Sequence, residues 1–513
     1  MQQQQLTDPA SIASAERAIR KVVSAHSEWF LAQDNLPALA LRIDEFDFAI
    51  AHQRLLFSCW TEKGSQSWRI KSWSWFGDKL ALQVTRRMGA EEARLELIPR
   101  TSAKAITAGI AAARQLRSEQ LAVVAAQTLP GAKIEKAAMS PGMRRDQPGR
   151  YARILLRLPH ERIAVTATVG QSDPRNIDAL FSSAMLWFSR LREKSRRPYV
   201  ERLWLVVERN LVAPAKQRQV LLCDKLRHII DLFQIDESWN NLTAIKPIER
   251  RELWRKKLTP FPTATGVQPS DAAQQIIAQA PLAIDLARSR HGETIRFHGL
   301  PFARIRSVMD SERIWFGIEG ARRLMLCDRN REDWRKLWRD LEAHRAASVK
   351  DQRHWLYRAG GEAWLESILR RDITKLDPGL IIAPLHAQFR TAHGVGIAAR
   401  PIDLLALRQD GRLVVIELKV SEDREHVFQG VDYWRRVEAH RRRGHISSAE
   451  LFGDRVIADE SPLVYLVAPT LRFHPSFATL ARAIAPDIEI YRFEINENWR
   501  QGVRVMRRLR VNG

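Results

Sequence analysis

Three ionisable side chains stand where a folded chain rarely tolerates charge. In the stretch RPIDLLALRQDGRLVVIELKVSED, Asp403 opens one apolar run, Glu417 and Lys419 close a second, and Gln409-Asp410-Gly411 lies between them. An Asp-Gly pair between β-rich runs signals a hairpin, so the two runs are expected to pair as antiparallel strands. Side chains alternate along a strand, which puts Asp403 on one face with Leu405 and Leu407, and Glu417 and Lys419 together on one face of the partner. Both runs are apolar on both sides, as in the middle of a sheet covered by helices. A desolvated charge there costs several kcal/mol unless it is paired or bound to metal. Mg²⁺ prefers oxygen ligands and commonly takes one or two carboxylates, keeping waters for a substrate phosphate. Asp403 and Glu417 are therefore the expected metal ligands, with the Leu418 carbonyl beside them. Lys419 is placed to orient or deprotonate a water, or to neutralise charge developing on phosphorus. The plainer alternative is a salt-bridged pairing of Glu417 with Lys419 inside an ordinary sheet.

Two neighbouring segments extend the pattern: Gly361-Glu362-Ala363-Trp364-Leu365-Glu366 upstream, and Gln429-Gly430-Val431-Asp432-Tyr433 downstream. In this order the chain resembles the PD-(D/E)xK nuclease superfamily. Asp403 and Glu417-Leu418-Lys419 match its D…(D/E)xK core, residues 361–366 are similar to the helix bearing its upstream glutamate, and residues 429–433 are similar to the QxxxY element of RecB-like members and branched-DNA endonucleases. The resemblance covers residues 350–470, and Ile402 stands where many members have proline. It implies a restriction-endonuclease-like αββαβ core using Mg²⁺ or Mn²⁺, with catalytic residues Asp403, Glu417, Lys419 and Glu362, of which Asp403 and Glu417 hold the metal. Glu366 shares a helical face with Glu362 and is the reserve acid. Gln429 and Tyr433, one turn apart, would face the site or the bound strand, and Arg436 in the basic run behind them would contact phosphate. The implied activity is metal-dependent hydrolysis of phosphodiester bonds in nucleic acid, DNA ahead of RNA and internal cuts ahead of end trimming. Its rivals are a nucleic-acid-binding protein that uses inactive nuclease-like domains as grips, and a protein-interaction scaffold.

The elements that must position these residues can be read from hydropathy periodicity. Helices are expected over 13–31, 102–128, 176–193, 215–234, 331–346, 361–376 and 424–442, with strands at 151–158, 162–170, 202–208 and 462–469 and antiparallel β-patterning between Phe46 and Pro99. The Pro-, Thr- and Ala-rich stretch over 235–295 reads as a connection. This gives an α/β, multidomain chain: 1–101, a helix plus β-rich part; 102–235, an αββαβ domain; 236–345, a linker with a small β/α part; and 346–513, the acid-bearing domain. The halves echo each other. Trp75-Phe76-Gly77 returns as Trp315-Phe316-Gly317, and 152–169 laid without gaps over 402–419 keeps the apolar alternation, all at a spacing of roughly 240 to 250 residues. On that match Arg153, Ala167 and Val169 take the places of Asp403, Glu417 and Lys419, so the first copy is expected to hold no metal.

Composition bounds the reading. The 513 residues exceed one core at about 100–200 residues per domain. Lys and Arg number 82 against 59 acids, a formal charge of +23, which suits a phosphate polymer as partner. Cys59, Cys223 and Cys327 lack the spacing of a disulfide framework or zinc site. No leader-like h-region or long apolar run is seen, so the expectation is a cytoplasmic protein with no membrane partner. No phosphate-binding glycine loop, nucleophile elbow or dinucleotide fingerprint occurs, which removes ATPase and hydride-transfer readings.

Overall fold

The computed structural model describes residues 4–512 apart from 7, 34–38, 62–63, 77–78, 87–88, 100–102, 143–147, 171–172, 195–198, 256, 262–267, 290–291, 309–310, 319–322, 383–385 and 390–401. The chain divides into two compact units, one built on residues up to Leu116 and one on Arg117–Gly142, Gly149–Ile318 and Leu324–Gly513. It is an α/β protein with several sheets.

In the first unit a helix, Pro9–Val23, starts where Asp8 accepts the N–H groups of Ala10 and Ser11, and it buries Ile12, Ala15, Ile19 and Val23 against an eight-stranded sheet. The expected helix over 13–31 is too long. Glu28–Gln33 is a strand, because Trp29 and Leu31 alternate into the core with period two. Trp68 is core, and Trp73 and Trp75 pack partly buried against it.

The second unit contains a five-stranded antiparallel sheet, running from Ile284–Ser289 to Leu324–Met325, and two six-stranded sheets. Trp315 lies at the end of a meander strand opposite Met325, as Trp75 lies opposite Leu80, though the sheets that contain them differ in strand number.

The two six-stranded sheets carry the argument. The first comprises β1 (Lys133–Pro141), β2 (Pro148–Arg157), β3 (Arg162–Thr168), β4 (Val200–Val207), β5 (Ile230–Ile235) and β6 (Leu242–Ile245). The second comprises β7 (His386–Phe389), β8 (Ile402–Leu407), β9 (Leu413–Leu418), β10 (Leu463–Pro469), β11 (Ile490–Ile495) and β12 (Val505–Arg510). Strands neighbour one another in chain order in both. Pairing is antiparallel for β2/β3 and β8/β9, parallel for the next two pairs of each sheet, and antiparallel for β5/β6 and β11/β12. The helix expected over 215–234 is corrected here: two short helices, Val212–Gln219 and Asp224–Arg227, lead into β5, whose Ile230, Leu232 and Phe233 are buried. The first sheet also continues past residue 235 into β6.

Helix α1 (Ala103–Gln127) packs Leu121, Ala122 and Ala125 on one face of the first sheet, while α2 (Ile177–Lys194) covers the other. Correspondingly, α3 (Gly361–Arg371) packs Trp364, Leu365 and Leu369 on one face of the second sheet and α4 (His426–Arg441) covers the other. The sheets join through the α2 and α4 sides in one apolar core, with the Phe181 and Phe428 rings 5.8 Å apart. Equivalent segments also exchange backbone bonds: Cys223 N–H to the Ala483 carbonyl at 2.9 Å, and Ala485 N–H to the Leu221 carbonyl at 3.0 Å. Arg218 is buried between Asp178 at 2.6 Å and Asp432 at 2.5 Å, tying one module to the other.

The ungapped match between the halves is off by one residue in the second strand. Arg153 pairs with Thr166, not Ala167. In the other sheet Leu404 pairs with Ile416, a register that sets Asp403 against Glu417. The cause is the turn. Leu158 N–H bonds to the Glu161 carbonyl, leaving Pro159 and His160 as a two-residue loop, whereas Arg408 N–H bonds to the Arg412 carbonyl around Gln409, Asp410 and Gly411. Gly411 has φ 82°, as the extra residue of a three-residue hairpin requires. One residue reverses every side chain of the following strand. Ala167 and Val169 therefore lie in the α1-side core, and Thr166 occupies the place of Glu417.

Candidate active site

Asp403 and Glu417 are neighbours because adjacent antiparallel strands put both on the α4 side of the sheet, in line with Leu405 and Val415 of the apolar cluster there. Glu417 is 2% exposed and Lys419 8%. Asp403 accepts the Leu418 N–H at 2.8 Å, and the Lys419 ammonium donates to Glu417 Oε1 at 2.8 Å. Glu417 Oε2 is buried with no hydrogen-bond partner.

Lys419 follows the end of β9, and its ammonium lies 3.9 Å from Glu362 and 3.8 Å from Asp423. Glu362 belongs to α3, which packs on the opposite face, so it approaches past the strand end from the first turn of its helix. Glu366, one turn on, is 1% exposed and pairs with Arg296 at 3.3 Å. Of the two candidate acids, Glu362 thus faces Lys419, while the reserve acid Glu366 pairs with Arg296.

Electrostatics are those of a site short of positive charge. Burial, then the neighbouring Glu417, drives the Asp403 carboxyl well above its usual range. Glu417 is also raised, by burial against the opposing pull of Lys419, and burial raises Glu362. Lys419 is held above the usual lysine range: Glu417, Glu362 and Asp403 outweigh the burial that would lower it. Four carboxylates, Asp403, Glu417, Glu362 and Asp423, thus share one ammonium. Among the described residues no set of three or more His, Cys, Asp or Glu side chains forms a metal cluster. A two-carboxylate site with an unpartnered oxygen still fits an ion such as Mg²⁺, which keeps much of its own water.

From α4, Gln429 is buried and within 3.5 Å of Glu425, and Tyr433 is buried in the same apolar cluster. Burial and then the Glu417 and Asp403 charges raise the Tyr433 phenol, which sets that side chain beside the acids. Arg436, the expected phosphate contact, has a partner within its own helix. It pairs with Asp432 one turn earlier, as Arg435 does at 2.7 Å, and Arg441 and Arg442 are held by Glu438. On the expected basic face, helical i, i+3 and i, i+4 acids engage Arg435, Arg436, Arg441 and Arg442.

Three residues at or near the site had escaped the sequence reading. Asp423 lies four positions after Lys419 and faces it. His426 Nε2 sits 3.2 Å from the Glu417 carbonyl, and burial lowers its pKa to about 3, so the ring is neutral. Asp432, inside the Gln429-to-Tyr433 segment, is the buried anchor of Arg218, Arg435 and Arg436.

No family model, curated protein or solved structure matches the chain. Among the described residues no helix is long and apolar enough to cross a membrane.

Proposed function

We propose that residues 346–513 form a PD-(D/E)xK-type nuclease domain that hydrolyses phosphodiester bonds of nucleic acid, DNA in the first instance, with Mg²⁺ or Mn²⁺. The observation that carries the reading is the pair Asp403 and Glu417, desolvated on adjacent strands, with Glu417 Oε2 buried and unpartnered beside a single ammonium. A purely structural ion pair has no use for the additional buried acid. The divalent cation would be held by Asp403 and Glu417, and would supply Lewis acidity and a water of lowered pKa. Lys419, released from part of its contact with Glu417, is placed to hold that water or the charge building on phosphate oxygens, and Glu362 and Asp423 orient the ammonium. The neutral His426 fixes the backbone at Glu417. The common strand order supports reading residues 117–245 as a second copy of the same core, catalytically silent because Arg153 and Thr166 stand in place of the acids.

The test is cleavage of labelled single-stranded, double-stranded and branched DNA and of RNA, with Mg²⁺ or Mn²⁺, by the wild type and by Asp403→Asn. Loss of at least about 10³-fold in rate is expected for the variant, with binding retained, since affinity comes from Lys and Arg on phosphates. Wild-type protein that binds without cutting any substrate would replace this reading by that of a grip.

A further inference from the structure

We propose that Arg153, Arg190 and Arg424 form an anion site, shared between the two six-stranded modules, that takes a backbone phosphate of the bound nucleic-acid strand. The proposal rests on the nuclease reading only for the identity of the polymer. Arg153 projects on the α2 side of the first sheet, at the position Asp403 holds in the second. Its guanidinium donates to the Ser183 hydroxyl at 3.4 Å and lies 5.7 Å over the Trp187 ring. Arg190 comes from one turn further along α2, and Arg424 from the connection between β9 and α4 of the other module. Both act on Arg153 as like charges.

Among the described residues none of these three arginines forms an ion pair with a carboxylate, whereas the arginines of α4 are taken up by Asp432 and Glu438. Arg424 is oriented by His474, whose Nε2 is 3.1 Å from its Nε. Of the neighbouring acids, Asp423 faces Lys419 at 3.8 Å, Glu425 accepts from Gln429 at 3.5 Å, and the exposed Glu422 acts on His474. The half-buried Arg153 guanidinium lies against Ser183 and Trp187 on the helix that also carries Arg190, and like charge near a partly desolvated guanidinium is costly without a counter-anion. Planar guanidinium groups suit phosphate oxygens. Arg424 directly follows Asp423, which contacts Lys419, so a phosphate held there would lie near the candidate active site. The module without acids would then contribute binding where its partner contributes chemistry.

The experiment is fluorescence anisotropy of full-length protein with labelled single-stranded DNA, duplex DNA and RNA in EDTA over a salt series. Arg190→Gln and Arg424→Gln, both at exposed positions, are each expected to weaken binding about 3- to 10-fold and to lower the slope of log affinity against log salt by about 0.7–0.9. Arg153→Gln should do the same and Arg153→Lys should restore most of it, which separates binding from folding. Titration with inorganic phosphate is the second arm: phosphate binding lost in the variants while oligonucleotide binding and its salt slope stay unchanged would identify a free-anion site and overturn the assignment. Unchanged binding of every probe would overturn the site itself. Because these measurements need no cleavage, an inert Asp403 alongside weakened Arg424→Gln binding would sink the nuclease reading and keep this one. The reverse pattern would do the opposite.

Discussion

The two six-stranded sheets have one strand order and one set of strand directions, yet they bury opposite chemistry at the same place. In the second sheet Asp403 faces Glu417 beneath α4. In the first, Arg153 faces Thr166 beneath α2, and the Thr166 hydroxyl satisfies itself on the Ala152 carbonyl at 2.8 Å. A topology evidently tolerates either solution, because the apolar alternation around the pair holds the sheet together without reference to what the pair does. The difference also shows how small a change decides it: the acid-bearing hairpin has a three-residue turn and the other a two-residue turn.

The sharpest way to break this comparison is to remove the extra residue. Deleting Asp410 shortens the acid-bearing turn to the length of its counterpart. The expected result is loss of cleavage to background with a clear fall in Tm, since a one-residue slip turns Glu417 toward the α3 side and its apolar neighbours outward. Retained activity would mean that packing, not the turn, sets the register.

A second experiment addresses the joint between the modules. Arg218→Ala leaves Asp178 without its guanidinium while Asp432 keeps Arg435 and Arg436, and a loss of about 3 kcal/mol in urea unfolding is expected, the low end for one partner removed from a buried pair. Arg202→Ala, whose pairing with Asp231 at 2.6 Å is largely exposed, should cost under about 1 kcal/mol. Similar losses in both would remove the distinction between joint and surface.

The smallest expected effect concerns the charge itself. Asp403 and Glu417 have folded pKa values above their unfolded ones, so the folded state is the stronger proton binder. Their contribution to stability is therefore greatest below an unfolded value of about 4 and is lost as pH rises toward the raised folded value. Asp403→Asn at neutral pH in EDTA should raise Tm by about 2–4 °C, and Mg²⁺ should raise that of the wild type but not of the variant. Differential scanning fluorimetry checks both, and a lower Tm for the variant in EDTA would show that Asp403 is a structural group.

The amino-acid sequence by itself determined the hairpin, the sharing of a face by Glu417 and Lys419, and the helices carrying Glu362 and Tyr433, because these depend on period, turn chemistry and local spacing. It also carried the αββαβ order shared by the two halves, through hydropathy and a few residue matches, but not the strand over 230–235. It did not separate the two glutamates of α3: Glu362 and Glu366 share a helical face, and the structure pairs Glu366 with Arg296 of another sheet and sets Glu362 3.9 Å from Lys419. Nor did it show the partner of Arg436: its basic surroundings read as a phosphate grip, and the structure pairs it with Asp432. The β5 segment looked helical because a short apolar run has no distinctive period, and only parallel pairing with β4 makes it a strand. The one-residue offset between the halves lay in a turn whose length is visible in the sequence, but whose consequence depends on which backbone groups close it. Local pattern sets the elements; which charges meet, and which are left without a partner, is fixed when distant elements pack and the cost of burying each charge has to be met by whatever lies beside it.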